Sequence, residues 1–127
     1  MNTRQYGAEA ELFTANWLEK KGYRILDRNF FMRGGELDII AQSGDTIAFI
    51  EVRSWDRIFW EGGTPLETVG PEKIKHIIKT ALYYIQKKRI CLQTYNIRFD
   101  VAALIKNESG EFEMDYLEAA FNADGTY

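Results

Sequence analysis

The chain has 127 residues, 46 % hydrophobic and 28 % charged, with a net charge of −3. That length suits one domain spanning residues 1–127, and the composition excludes a disordered chain. No stretch approaches the roughly 18 consecutive apolar residues of a membrane span. Met1-Asn2-Thr3-Arg4-Gln5 runs into a polar helical pattern and not an apolar signal core, and Cys91 has no second cysteine to pair with. A cytoplasmic protein is therefore expected, with no membrane partner.

Residues 4–21 are predicted to be helical, with Ala8, Leu12, Ala15 and Leu18 as the apolar stripe and Gly22 as the stop. A first strand follows over 23–31 and a turn at Arg33-Gly34-Gly35. Two further strands are predicted over 36–42 and 46–53, joined at Ser43-Gly44-Asp45, a hairpin signal. Residues 54–70 read as a long loop with Gly62, Gly63, Pro65 and Gly70. Pro71 opens a second helix, where its missing N–H costs nothing, and Ile74, Ile77, Ile78, Ala81, Leu82 and Ile85 form its apolar stripe. Strands over 96–104 and 112–117 complete the order α-β-β-β-α-β-β. The expected fold class is α/β, a mixed sheet with flanking helices.

Charge is uneven along this order. Residues 72–89 hold Lys73, Lys75, Lys79, Lys87, Lys88 and Arg89 against Glu72 alone, whereas residues from 108 onward are acidic. Charge runs of this kind are commonly solvated helix faces. A local basic face can nevertheless meet phosphate on an acidic protein.

The informative residues are Asp38, in Gly35-Glu36-Leu37-Asp38-Ile39-Ile40, and Glu51, in Phe49-Ile50-Glu51-Val52-Arg53. A two-residue turn at Gly44-Asp45 pairs Ser43 with Thr46 and sets Asp38 opposite Glu51 on one face, with Glu36 opposite Arg53. A three-residue loop would put the two acids on opposite faces, and the apolar pattern does not choose between these registers. Two facing carboxylates repel unless a cation joins them. Mg²⁺ or Mn²⁺, which take oxygen ligands, is the expected cofactor. Glu11 lies within the first helix's apolar stripe, either as a third acid of this cluster or as a border residue reaching water.

These segments resemble the YraN family, small bacterial proteins regarded as relatives of Holliday-junction resolvases and restriction endonucleases. The resemblance rests on Gly7-x-x-Ala10-Glu11, where the family has Gly-x-x-Gly-Glu, then Gly22-Tyr23-Arg24-Ile25-Leu26 and Arg28-Asn29. It continues through Gly35-Glu36-Leu37-Asp38, Glu51-Val52-Arg53, Lys73, Ala81, Tyr84 and Arg98-Phe99-Asp100-Val101. It implies a restriction-endonuclease-like core and a site of the Asp…(Asp/Glu)-x-Lys type. Asp38 and Glu51 would be its acids, Arg53 would stand at the lysine position, and Glu11 would lie beside the metal.

The expected chemistry is metal-assisted phosphodiester hydrolysis, with Asp38, Glu51, the Val52 carbonyl and Glu11 around the metal and Asp38, Glu51 and Arg53 as the catalytic set. An arginine cannot serve as a general base, although it can clamp a phosphate. Lys73 is the candidate substitute, against the plainer reading of a solvated first-turn lysine. Arg53, Lys73, Lys75, Trp55 and Trp60 are the candidate nucleic-acid contacts, the tryptophans by stacking on bases. Those tryptophans could equally cover the core edge or a dimer contact. The expected partner is DNA, branched or single-stranded, with a homodimer as a possible assembly. A nuclease-fold protein that binds nucleic acid or protein without turnover is the alternative.

Overall fold

The computed structural model describes residues 3–56 and 62–126, apart from the side chains of residues 3–6. Two helices flank a five-stranded mixed sheet. In chain order the elements are α1 (Thr3–Lys20), β1 (Arg24–Met32), β2 (Gly35–Ser43), β3 (Thr46–Asp56), α2 (Pro71–Lys87), β4 (Asn96–Lys106) and β5 (Phe112–Phe121). The strands lie side by side as β1-β2-β3-β4-β5. Only β3 and β4 run parallel, because α2 carries the chain back across the sheet between them. This is the α-β-β-β-α-β-β order expected from the sequence and is consistent with a restriction-endonuclease-like core. Among the described residues no helix is long and apolar enough to cross a membrane.

Central strands carry apolar side chains on both faces because each face is covered. On one side Ile40, Ile47, Phe49, Phe99 and Val101 pack with Ile74, Ile77, Ala81 and Tyr84 of α2. On the other, Ile39, Ala41, Ala48, Ile50, Ala102 and Leu104 pack with Ala10, Ala15 and Leu18 of α1.

The inward face of α1 differs from the predicted stripe. Ala8 and Leu12 are exposed, whereas Ala10, Thr14, Ala15 and Leu18 are buried. Small side chains at 10 and 15 permit a close approach to the sheet. Thr14 is tolerated there because its hydroxyl donates to the Ala10 carbonyl at 2.8 Å. The strands also run longer than predicted. β3 reaches Asp56, so the expected loop over 54–70 begins later, and Leu66–Thr68 forms a short 3₁₀ turn within it. Glu113, Asp115 and Glu118 of the acidic tail lie on β5, an edge strand, and are exposed.

Gly35 fixes how closely the β1–β2 hairpin sits on α2. A Cβ at this position would overlap Oγ1 of Thr80, whose hydroxyl is held by the His76 carbonyl at 2.7 Å. The glycine that precedes Asp38 in the sequence motif is thus a close-approach residue.

Candidate functional site

The β2–β3 hairpin closes through Gly44-Asp45, with Ser43 paired to Thr46 and the ladder continuing to Ile39 and Ile50. Gly44 has φ 56°, a conformation that suits glycine. The two-residue turn is therefore the one formed, and Asp38 and Glu51 are the next residues beyond the last pair. There the strands part. Glu36 pairs with Phe31 of β1, and the expected opposition of Glu36 to Arg53 does not occur.

The parting of β2 and β3 creates the site. Leaving the ladder frees the Val52 N–H on the side of β3 that faces β2, and it donates to Oδ2 of Asp38 at 2.8 Å. The carbonyl of Val52 points to the same side, since both groups of one residue face one neighbour in an antiparallel pair. Asp38 spans the gap, with a hydrogen-bonding contact to Glu51 and another to Glu11 of α1. Asp38 and Glu51 are only 8 % and 4 % exposed.

The electrostatics follow from this crowding. Burial pushes the Glu51 carboxyl up to about 8, aided by the charge of Asp38 and the hydrogen bond to it, while Lys73 and Arg53 pull it down. Burial, then Asp38, pushes Glu11 up to about 7, against the opposing effects of Asn29 and Arg28. A hydrogen bond between two carboxyl groups requires one of them to carry a proton. Lys73 and Arg53 beside Glu51, and Arg28 beside Glu11, do not outweigh this burial.

Lys73 lies at the first turn of α2, with Nζ 3.5 Å from Oε2 of Glu51. It reaches the acids from the helix and not from the strand position beside Glu51. Arg53 occupies that strand position. Its guanidinium carbon lies 5.7 Å from the Trp55 ring centroid, and its buried Nε has no hydrogen-bond partner. Lys75 points away, 75 % exposed and loosely paired with Glu72 at 4.0 Å. Trp60 lies outside the described residues.

Two neighbours escape a sequence reading. Asn29 adopts φ 52° within β1 and hydrogen-bonds Glu11; asparagine is among the few residues that tolerate this conformation. Lys106 donates to Glu9 at 2.6 Å, tying β4 to α1. The lysine and the glutamate lie far apart in the chain, so no local spacing announces the pair.

Among the described residues, no three His, Cys, Asp or Glu side chains form a ready-made metal cage. The donor set still fits a hard divalent ion of the kind that uses one or two carboxylates and keeps its waters. The fit rests on the chemistry of the donors: two buried acids side by side at a strand divergence, with the Glu51 carboxyl pushed up to about 8 by burial and by the charge of Asp38.

Comparison with known proteins bears on the same residues. A profile of the uncharacterised protein family UPF0102 matches residues 10–104, from the helix that carries Glu11 to β4. The chain belongs to this family. A UPF0102 protein of Syntrophus aciditrophicus is 46 % identical over 118 residues, covering 91 % of this chain and 90 % of that protein. UPF0102 proteins of Dictyoglomus turgidum and Clostridium perfringens are 37 % and 40 % identical. Those matches cover 95 % and 93 % of this chain, and 100 % and 94 % of the relatives. UPF0102 membership agrees with the YraN resemblance and supports a nuclease-fold protein.

Proposed function

We propose that this UPF0102 protein is a metal-dependent phosphodiesterase that cuts branched or single-stranded DNA within a single domain. The observation that carries the reading is the contact between the buried Asp38 and Glu51 carboxyls where β2 and β3 part. Two carboxylates buried side by side cost free energy that one backbone N–H and a partly exposed lysine offset only in part.

Asp38, Glu51 and the Val52 carbonyl would hold Mg²⁺ or Mn²⁺, with Glu11 behind Asp38. When bound, the ion supplies polarisation of the phosphate and a water of lowered pKa. The chain's own residues do the rest. The Val52 N–H fixes the orientation of Asp38, and Lys73 holds Glu51 from the helix side. Arg53, whose buried Nε has no internal hydrogen-bond partner, would clamp a phosphate oxygen in the fork geometry that arginine favours. Its charge stabilises the transition state without taking a proton.

The arginine at position 53 also favours a second reading, a nuclease fold that binds nucleic acid without turnover. One experiment separates the two. Labelled linear, flapped and four-way DNA is incubated with Mn²⁺ and either the native protein or Glu51→Gln. Cleavage by the native protein alone supports the phosphodiesterase. Binding without cleavage by both proteins supports the second reading.

A further inference from the structure

A groove of about 640 Å³ runs along the outer side of α2, away from the acid cluster but starting at the same end of the helix. Its floor is apolar, formed by Met32, Ile78, Leu82 and Tyr83, and Lys75 and Lys79 line it one helical turn apart. Leu82 and Tyr83 are 52 % and 42 % exposed, a large apolar area for the outside of a helix. Lys87 lies 5.8 Å from the Phe30 ring centroid and 5.9 Å from that of Tyr83, extending the basic and aromatic character toward the end of α2. Among the described residues no ion pair engages Lys79 or Lys87, and Lys75 meets only the exposed Glu72.

We infer that this groove is a track for a single-stranded nucleic acid arm leading to the acid cluster, an inference that rests on the phosphodiesterase reading and names its substrate class. Cationic side chains spaced along an apolar, aromatic floor are what a single strand requires. Phosphates follow the lysines, while bases stack on a ring or cover apolar surface. Pro71 lines the groove at the N-terminal end of α2, the same end from which Lys73, on another face of the helix, reaches Glu51. Charge across the molecule sets the direction. The far edge of the sheet, β5, exposes Glu113, Asp115 and Glu118, which repel a polyanion. Asp124 also lines the groove, and its charge would favour phosphates beside Lys75 and Lys79.

The test uses a short labelled oligothymidylate and fluorescence anisotropy in EDTA, so that binding is read without cleavage. The native protein, Tyr83→Ala and Lys79→Gln are compared. Both positions are exposed, and unchanged melting temperatures would show that the fold is kept. Tyr83→Ala is expected to weaken binding at least roughly fivefold. Lys79→Gln is expected to reduce the salt slope by about 0.7. Equal binding by all three proteins, or no binding, overturns the track. So does an acidic amphipathic peptide that binds in a Tyr83-dependent way while the oligonucleotide does not. Cleavage of flapped and blunt duplex DNA with Mn²⁺ separates the two claims. Tyr83-dependent binding without cleavage sinks the phosphodiesterase and leaves the track standing. Cleavage with no effect of Tyr83→Ala on flap preference sinks the track alone.

Discussion

Two clusters of buried acid sit in this small sheet, and they are built in opposite ways. Asp100 on β4 is completely buried and fully partnered. Arg98 donates to both of its oxygens at 2.9 and 2.8 Å, Tyr116 donates at 2.5 Å and the Ala119 N–H at 3.0 Å. Ala119 reaches it from a left-handed conformation, φ 52°, opposite a register shift between Phe99 and Val101. Tyr23 accepts a further bond from Arg98 at 2.5 Å. Asp38 and Glu51 are almost as buried, yet each has the other acid as a neighbour, with one backbone N–H and Lys73 beside them. A buried charge satisfied from within holds a fold together. A buried charge left short of partners is set to receive something from outside.

The largest expected effect is at the first cluster. Asp100→Asn strips the charge that balances Arg98 and should cost about 3–5 kcal/mol of stability, read as a shift in the urea midpoint. A loss near zero would place the two clusters in the same class. Next is Gly35→Ala, which forces a methyl against Thr80 and should destabilise by about 1–3 kcal/mol. Adding Thr80→Ala should restore part of that loss, and a simple sum of the two single effects would contradict the close approach.

Glu51→Gln should behave oppositely to Asp100→Asn, leaving the metal-free protein equally stable or more stable. The pH dependence gives the sign. Glu51 and Glu11 have native pKa values near 8 and 7, raised above their ordinary value of 4.5. Protons bind the native state more tightly, so this contribution is fully present below about pH 4.5 and is lost as pH rises toward 8. In EDTA the melting temperature should fall across that window, and Glu51→Gln should flatten the fall. The smallest effect is expected for Lys73→Met, within about 1 kcal/mol, because the partly exposed lysine is screened by solvent.

The comparison also shows what a sequence can disclose. The sequence leaves two registers open for β2 and β3; the Gly44-Asp45 turn sets the one that forms, and its ladder ends one pair short of Asp38 and Glu51. Glu11 was legible because an acid sat within an apolar helical stripe, even though that stripe was misplaced at Ala8 and Leu12, where small and polar residues obscured the buried face. Arg98 and Asp100 share a strand face by simple alternation, a signal present in the sequence. Tyr116, Tyr23 and the Ala119 backbone complete their network through long-range packing that no local pattern reveals. Lys73 looked like any first-turn lysine, because its partner lies on a different element.

The most direct test of the central claim is thermal unfolding near pH 7.5 with and without Mn²⁺, for the native protein, Asp38→Asn and Glu51→Gln. The native protein should be stabilised, by about 2.7 kcal/mol when the ion is a hundredfold above its dissociation constant, and neither variant should respond. No response of the native protein at millimolar Mn²⁺, or an equal response of all three proteins, would contradict an acid pair kept short of partners for a metal.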